Sequence, residues 1–161
     1  MANSIVIRKG RIKDAEKTLP IWDQFMEYHR RISVFDFEMV DNAREMWVGY
    51  FKKHVRSRIR EAIVAERDGE IVGFLLGEIQ KRPPIFVAPR QAYVGSIGVL
   101  ERYKGQGIGS RMLDAFAEWA RRKAMPYIML NVVVENDAAK HFYEKHGFRP
   151  MMLSERKLLQ S

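Results

Sequence analysis

The stretch Tyr93-Val-Gly-Ser-Ile-Gly-Val99, followed after two residues by Arg102-Tyr-Lys-Gly105-Gln-Gly107-Ile-Gly109, decides how this chain reads. The first part is an apolar, strand-like run. The second is a loop with three alternating glycines. It opens onto Ile108, Met112, Phe116 and Ala120, which recur every four residues as one stripe of a helix. A strand, a glycine loop and a helix start in succession can lay backbone N–H groups against a phosphate. Glycine turns tightly there and carries no Cβ to block the approach. The helix adds its positive dipole end at the same point. A phosphorylated ligand is expected.

Two common phosphate loops do not fit. No window supplies Gly-x-x-x-x-Gly-Lys-Ser/Thr. The dinucleotide fingerprint Gly-x-Gly-x-x-Gly, read from Gly105, puts Ser110 where its third glycine belongs, and the loop lies past the middle of the chain. What fits is Arg/Gln-x-x-Gly-x-Gly/Ala, with Arg102, Gly105 and Gly107. A second stretch is Leu130-Asn-Val132-Val-Val-Glu-Asn136-Asp-Ala-Ala139-Lys-His-Phe142-Tyr143-Glu-Lys-His-Gly147-Phe148. It reads Leu-x-Val, then Asn-x-x-Ala-x-x-x-Tyr, closing on Gly-Phe. In this order and at this separation, the two stretches resemble the GNAT superfamily of acetyl-CoA-dependent N-acetyltransferases. The resemblance covers residues 4–155 and is weaker before residue 60. It implies an α/β protein with the GNAT-like acyl-CoA N-acyltransferase fold, a mixed, mainly antiparallel central sheet flanked by helices. It also implies one domain over residues 1–161.

The expected elements run in the order β-α-α-β-β-β-α-β-α-β. Ser4–Lys9 alternates as a first strand. Asp14 is expected to cap a helix reaching Arg31, with Pro20 either kinking it or marking its start. Asp41 is expected to cap a second helix to Arg58. Glu61–Glu66 and Ile71–Ile79 flank Arg67-Asp68-Gly69-Glu70 and predict a hairpin. Lys81–Pro89 is a proline-punctuated loop, Gln91–Val99 the central strand, Gly107–Ala124 a helix and Tyr127–Val134 the next strand. Asn136 or Asp137 should cap a short helix ending at Gly147. Phe148–Leu153 is expected to return as a strand, with Arg156–Leu159 as a further candidate.

Composition narrows the function. The chain has 161 residues, enough for one domain with a sizeable core, and an apolar share of 47% that suits a folded protein. It has no cysteine, which excludes disulfides, thiolate metal sites and an acyl-cysteine route. The four histidines, His29, His54, His141 and His146, have no metal-ligand spacing, so no metal is expected. The opening residues Met1–Arg8 show no charged-then-apolar leader and no run approaches a membrane span, so a soluble cytoplasmic protein without membrane partners is expected. The net charge is +8. Its densest cluster is Lys52, Lys53, His54, Arg56, Arg58 and Arg60, at the end of a predicted helix where cations suit the dipole. No aromatic is interleaved among Lys53–Arg60 to stack a base, so the charge is read as a solvated face that steers an anionic cofactor rather than nucleic acid.

The resemblance assigns the site. Gly105, Gln106, Gly107, Ile108, Gly109 and Ser110 are expected to hold the pyrophosphate, with charge from Arg102 and Lys104. Ile97, Gly98 and Val99 would pair their backbone with the pantetheine arm. Asn136 would hydrogen-bond that arm and also cap its helix. Ala139 would be small so that the cofactor can pass, with Phe142 beside it. Tyr143 would donate a proton to the leaving thiolate, since a phenol with a pKa of about 10 stays protonated at neutral pH. The base is less defined. Gln91 stands nearest the glutamate used by some members, and Asn131 stands where others place a histidine. Tyr93 and Glu78 are the remaining candidates beside relay through water. Trp22, Met26, His29 and Phe35 would line the acceptor pocket or belong to the core. The expected partners are acetyl-CoA and an amine acceptor, with a homodimer left open. The alternatives are a degenerate GNAT domain that binds CoA as a sensor, and a basic nucleic-acid-binding module.

Overall fold

A computed structural model describes residues 4–159. The chain forms two compact units, Met1–Asn131 and Val132–Ser161. The first unit holds a five-stranded sheet in the order β1-β2-β3-β4-β5, made of β1 (Val6–Lys9), β2 (Arg60–Arg67), β3 (Glu70–Lys81), β4 (Arg90–Val99) and β5 (Ile128–Leu130). The first three pairings are antiparallel and β4/β5 is parallel. Helices α1 (Leu19–Ile32), α2 (Val34–Phe37), α3 (Ala43–Arg56) and α4 (Ile108–Arg122) surround it. The mixed, mainly antiparallel sheet agrees with expectation.

The best-patterned segments form as read. The stripe of α4, Ile108, Met112, Phe116 and Ala120, is buried together with Leu113 and Trp119. Burying five or six large apolar side chains offsets the ordering cost of such a helix, since each contributes about 1.5–3 kcal/mol. The β2/β3 hairpin turns at Asp68 and Gly69, whose φ values of 50° and 82° are those of a two-residue I′ turn.

The N-terminal helix differs from expectation. Two short 3-10 turns, Ile12–Asp14 and Glu16–Thr18, precede α1, and Pro20 sits in the first turn of α1 and marks its start. Asp14 does not cap α1. Its buried carboxylate accepts from Arg8 Nη1 at 2.7 Å, Arg8 Nη2 at 3.0 Å and the Arg11 N–H at 2.8 Å. Arg8 also donates through Nε to Glu66 at 2.7 Å, so the network ties β1 to β2 and to the turn. The second helix spans Ala43–Arg56, with Asn42 rather than Asp41 at its N-cap and its end two residues before Arg58. The short α2 before it was not expected; Ser33 caps it, its Oγ accepting from Asp36 N–H at 3.4 Å.

The predicted strand Tyr127–Val134 is three residues long, because its partner β4 offers only Ala92, Tyr93 and Val94 for pairing. In the second unit, α5 (Asp137–Lys145) is capped by Asn136, whose side chain accepts from Ala139 N–H at 3.1 Å, and ends before Gly147 at φ 84°. Phe148–Leu153 and the described part of 156–159 form no strand. Met151, Met152 and Leu153 are 64–80% exposed. Among the described residues no helix is long and apolar enough to cross a membrane.

Candidate active site

The site is built around one irregularity in β4. Leu76 faces Ser96 while Gly77 faces Val94, so Gly95 is an extra residue, a β-bulge. The bulge falls where pairing with β5 stops, after Val94. Beyond it, Ser96–Val99 have β3 on one side and, among the described residues, no paired strand on the other. Leu100 N–H donates to Val72 O at 2.9 Å. Antiparallel alternation then turns the backbone groups of Gly98 and Ser96 toward β3 and those of Ile97 and Val99 outward. The outward groups of Ile97 and the N–H of Val99 thus form an edge that leads into the glycine loop, available to a ligand that carries amide groups.

The loop itself suits a phosphate. Gly105 and Gly107 adopt φ of 75° and 74°, and a Cβ at either would meet nothing within 4 Å, so the space over the loop is open. Arg111 N–H donates to Gly107 O at 3.1 Å. The N–H groups of Ile108, Gly109 and Ser110 precede the helical ladder and are free for an anion. Of the two expected cations, Arg102 is paired with Glu70 and Lys104 with Glu101 at 2.5 Å; both are on the surface. The residues present therefore fit the pyrophosphate and amide arm of a CoA ester.

Two side chains that sequence reading missed position this edge. Gln24 of α1 donates through Nε2 to Val99 O at 3.0 Å and accepts from Glu101 N–H through Oε1 at 2.8 Å. Its amide fastens the end of β4 to α1, as a peptide group of a neighbouring strand would. Gly98 makes this approach possible: a Cβ there would lie 2.9 Å from Ile21 Cγ2. Nothing in the sequence marks Gln24, because its partners are 75 and 77 residues away.

Tyr50 is the second. A Cβ on Gly95 would be 3.7 Å from its hydroxyl, so Tyr50 reaches the bulge from α3. Glu78 and Tyr93 are cross-strand partners and share the face beneath α3. The sheet therefore brings the two sequence-predicted base candidates together, with Tyr50 near them. Burial would push Glu78 up, but hydrogen bonds from Arg60 Nε at 3.0 Å and Gln80 Nε2 at 3.3 Å, and the charge of Arg60, hold it below the usual carboxylate range. Burial and the Glu78 charge raise the phenols of Tyr50 and Tyr93. At neutral pH the group is one carboxylate beside two protonated phenols. His54, buried with Nδ1 3.0 Å from Tyr50 O, is lowered by burial and stays neutral.

The other expected residues divide. Gln91 is engaged with Gln80 and Tyr127 in the sheet. Asn131 follows β5. Trp22 is buried and stacks on Trp47, with centroids 5.6 Å apart. His29 packs between Phe25 and Phe37, and Phe35 is 71% exposed. In the second unit, Tyr143 packs on Phe142 and Phe148 at 5.2 and 5.6 Å. Among the described residues no three His, Asp or Glu side chains are grouped as a metal would need.

A glycine loop at a helix start beside an open strand edge is the frame of an acyl-CoA transferase fold. The chain matches the acetyltransferase (GNAT) family over residues 22–148 and belongs to it. It is 34% identical over 112 residues to an N-alpha-acetyltransferase of Sulfurisphaera tokodaii, covering 62% of this chain and 63% of that one. It is 31% identical over 103 residues to N-alpha-acetyltransferase 60 of Danio rerio, covering 55% and 43%. The chain thus spans less than two thirds of either relative. In structure it is similar to a mutant of the BH1408 protein from Bacillus halodurans, with a TM-score of 0.87 at 22% identity over 96% of this chain and 99% of that one. It is also similar to the aminoglycoside N-acetyltransferase AAC(6')-Iy in complex with CoA, with a TM-score of 0.72 at 14% identity over 100% and 96%. These structural likenesses establish the shared fold.

Proposed function

We propose that this chain transfers the acetyl group of acetyl-CoA directly to a primary amine. The observation that carries the reading is the outward edge of β4, the backbone groups of Ile97 and the N–H of Val99, running into the open glycine loop. Gly105–Ser110 would take the pyrophosphate, and the edge would take the pantetheine amides. Bound acetyl-CoA supplies an activated thioester carbonyl. In the transfer the amine nitrogen bonds to the carbonyl carbon as the carbon–sulfur bond breaks. Counted from the ammonium, two protons leave the nitrogen: one goes through the base to solvent before attack, and the second is balanced by the proton that sulfur gains.

Glu78, ionised beside Tyr50 and Tyr93, attracts the ammonium and accepts its proton directly or through one water. Its lowered pKa makes it a persistent charge and a modest base. Tyr143 holds the proton for sulfur. That role rests on the spacing Asn136-x-x-Ala139-x-x-x-Tyr143, which puts the three residues on one face of a helix. Incubation with acetyl-CoA and a panel of primary amines should yield equal amounts of free CoA and acetylated amine, read by mass spectrometry. Thioester hydrolysis with no acetylated amine from any acceptor would reject the proposal.

A further inference from the structure

A groove of about 590 Å³, open to solvent, runs along one face of α3 beside Trp22 of α1. Trp22, Met46, Trp47 and Tyr50 form its apolar wall, and Lys53 stands at its rim. Three features give it chemical character. First, no carboxylate lines it, and Asp23, the acid next to Trp22 in α1, is already paired with Arg44. Second, Lys53 is exposed and makes no ion pair within 4.0 Å among the described residues, so its charge is available. Third, Tyr50 belongs both to the wall and to the β4 bulge, beside the Glu78–Tyr93 pair. The cavity therefore adjoins the group placed at the amine.

We propose that this cavity binds the acceptor, a primary amine on a compact apolar or aromatic body that also bears an anionic group for Lys53. The amine end lies toward Tyr50. The proposal rests on the transferase reading for the meaning of "acceptor", but the binding it predicts does not need acetyl-CoA. It excludes polyamines and aminoglycosides as good ligands. Glu78 beside Tyr50 takes one ammonium, and the further charges of a polycation then meet Lys53 and a lining without a carboxylate, in a chain of net charge +8. The fold likeness to an aminoglycoside acetyltransferase would suggest the opposite.

Trp22 and Trp47 make the cavity directly observable, because they lie in its wall while Trp119 is buried against Phe116 on α4. Tryptophan emission is titrated, without acetyl-CoA, with 4-(aminomethyl)benzoate, benzylamine and spermidine. The first should give a saturable change. Benzylamine should bind up to about fivefold more weakly, the range of one exposed ion pair. Spermidine should give none. Lys53→Glu, at an exposed position, should reverse the preference toward spermidine. Met46→Arg, at a residue 61% exposed, should weaken both aromatic ligands. The proposal is overturned if spermidine binds wild type as well as the benzoate, if Lys53→Glu leaves the order unchanged, or if no probe alters emission in protein whose melting temperature acetyl-CoA raises. Probe binding with no acetyl transfer to any amine would instead count against the transferase reading alone.

Discussion

Replacing Gln24 by alanine removes the two hydrogen bonds that fasten the end of β4 to α1. A neutral hydrogen bond contributes a net of about 0.5–1.5 kcal/mol. The Glu101 N–H lies on the surface and water can replace its partner. The Val99 carbonyl is partly buried and loses more. Together the cost is about 1–2 kcal/mol, or about 2–8 °C in melting temperature for a chain of this size. The change should be local before it is global. Amide exchange at Glu101 should accelerate by about five- to thirtyfold, the factor those energies imply. Gln24→Glu separates the two bonds. Its carboxylate still accepts from Glu101 N–H but faces the Val99 carbonyl with a like charge, so the β4 end should loosen while the Glu101 amide stays protected. Acetyl-CoA affinity should fall in both variants, because the cofactor must then order the edge it binds. An alanine variant with wild-type Glu101 exchange and wild-type acetyl-CoA affinity would refute the argument that Gln24 positions this edge.

Other consequences concern the chemistry and the buried network. Glu78 lies below its ordinary range and is fully ionised above pH 6, so the rise of kcat/KM between pH 6 and 9 should follow deprotonation of the acceptor amine. Glu78→Gln should lower that curve without moving its inflection; a wild-type curve would return the base role to water or Tyr93. Tyr143→Phe should lower kcat by about 10², the low end for general acids, because a CoA thiolate is already a fair leaving group, with little change in the KM for acetyl-CoA; an unchanged kcat, with chemistry rate-limiting, would make Tyr143 a packing residue. Burial pushes Asp14 up, but Arg8 and the Arg11 N–H hold it below its ordinary value. Its folded pKa is depressed, so its contribution is present above the unfolded value of about 3.9 and is lost as pH falls through the folded one. Asp14→Asn should cost about 3 kcal/mol at pH 7, the scale of a broken buried pair, and progressively less in denaturant titrations toward pH 3.

Sequence reading succeeded where the signal is local. The four-residue stripe of α4 and the Asp68-Gly69 turn specify their own conformations, and Asn136 both caps α5 and belongs to a spaced motif. It failed where a distant partner decides. Asp14 has the residue type of a helix cap, yet Arg8 claims it. Tyr127–Val134 has enough apolar character for a long strand, but the Gly95 bulge ends the partner after three residues. Phe148–Leu153 is apolar without a strand to pair with in its unit. Glu78 and Tyr93 could be nominated singly; their pairing depends on the β3/β4 register, and Tyr50 and Gln24 join the site only through the packing of α3 and α1.

The central claim is that the β4 edge and glycine loop bind acetyl-CoA. Isothermal titration of acetyl-CoA into the wild-type chain and into Gly107→Val tests it most directly. Gly107 sits at φ 74° with open space where a side chain would go, so valine strains the loop and blocks the phosphate site without striking the core. Saturable one-to-one binding by the wild type is expected, with at least a tenfold loss in the valine variant and a retained cooperative melt. Absence of binding by the wild type at millimolar acetyl-CoA, or equal affinity in the variant, would contradict the account.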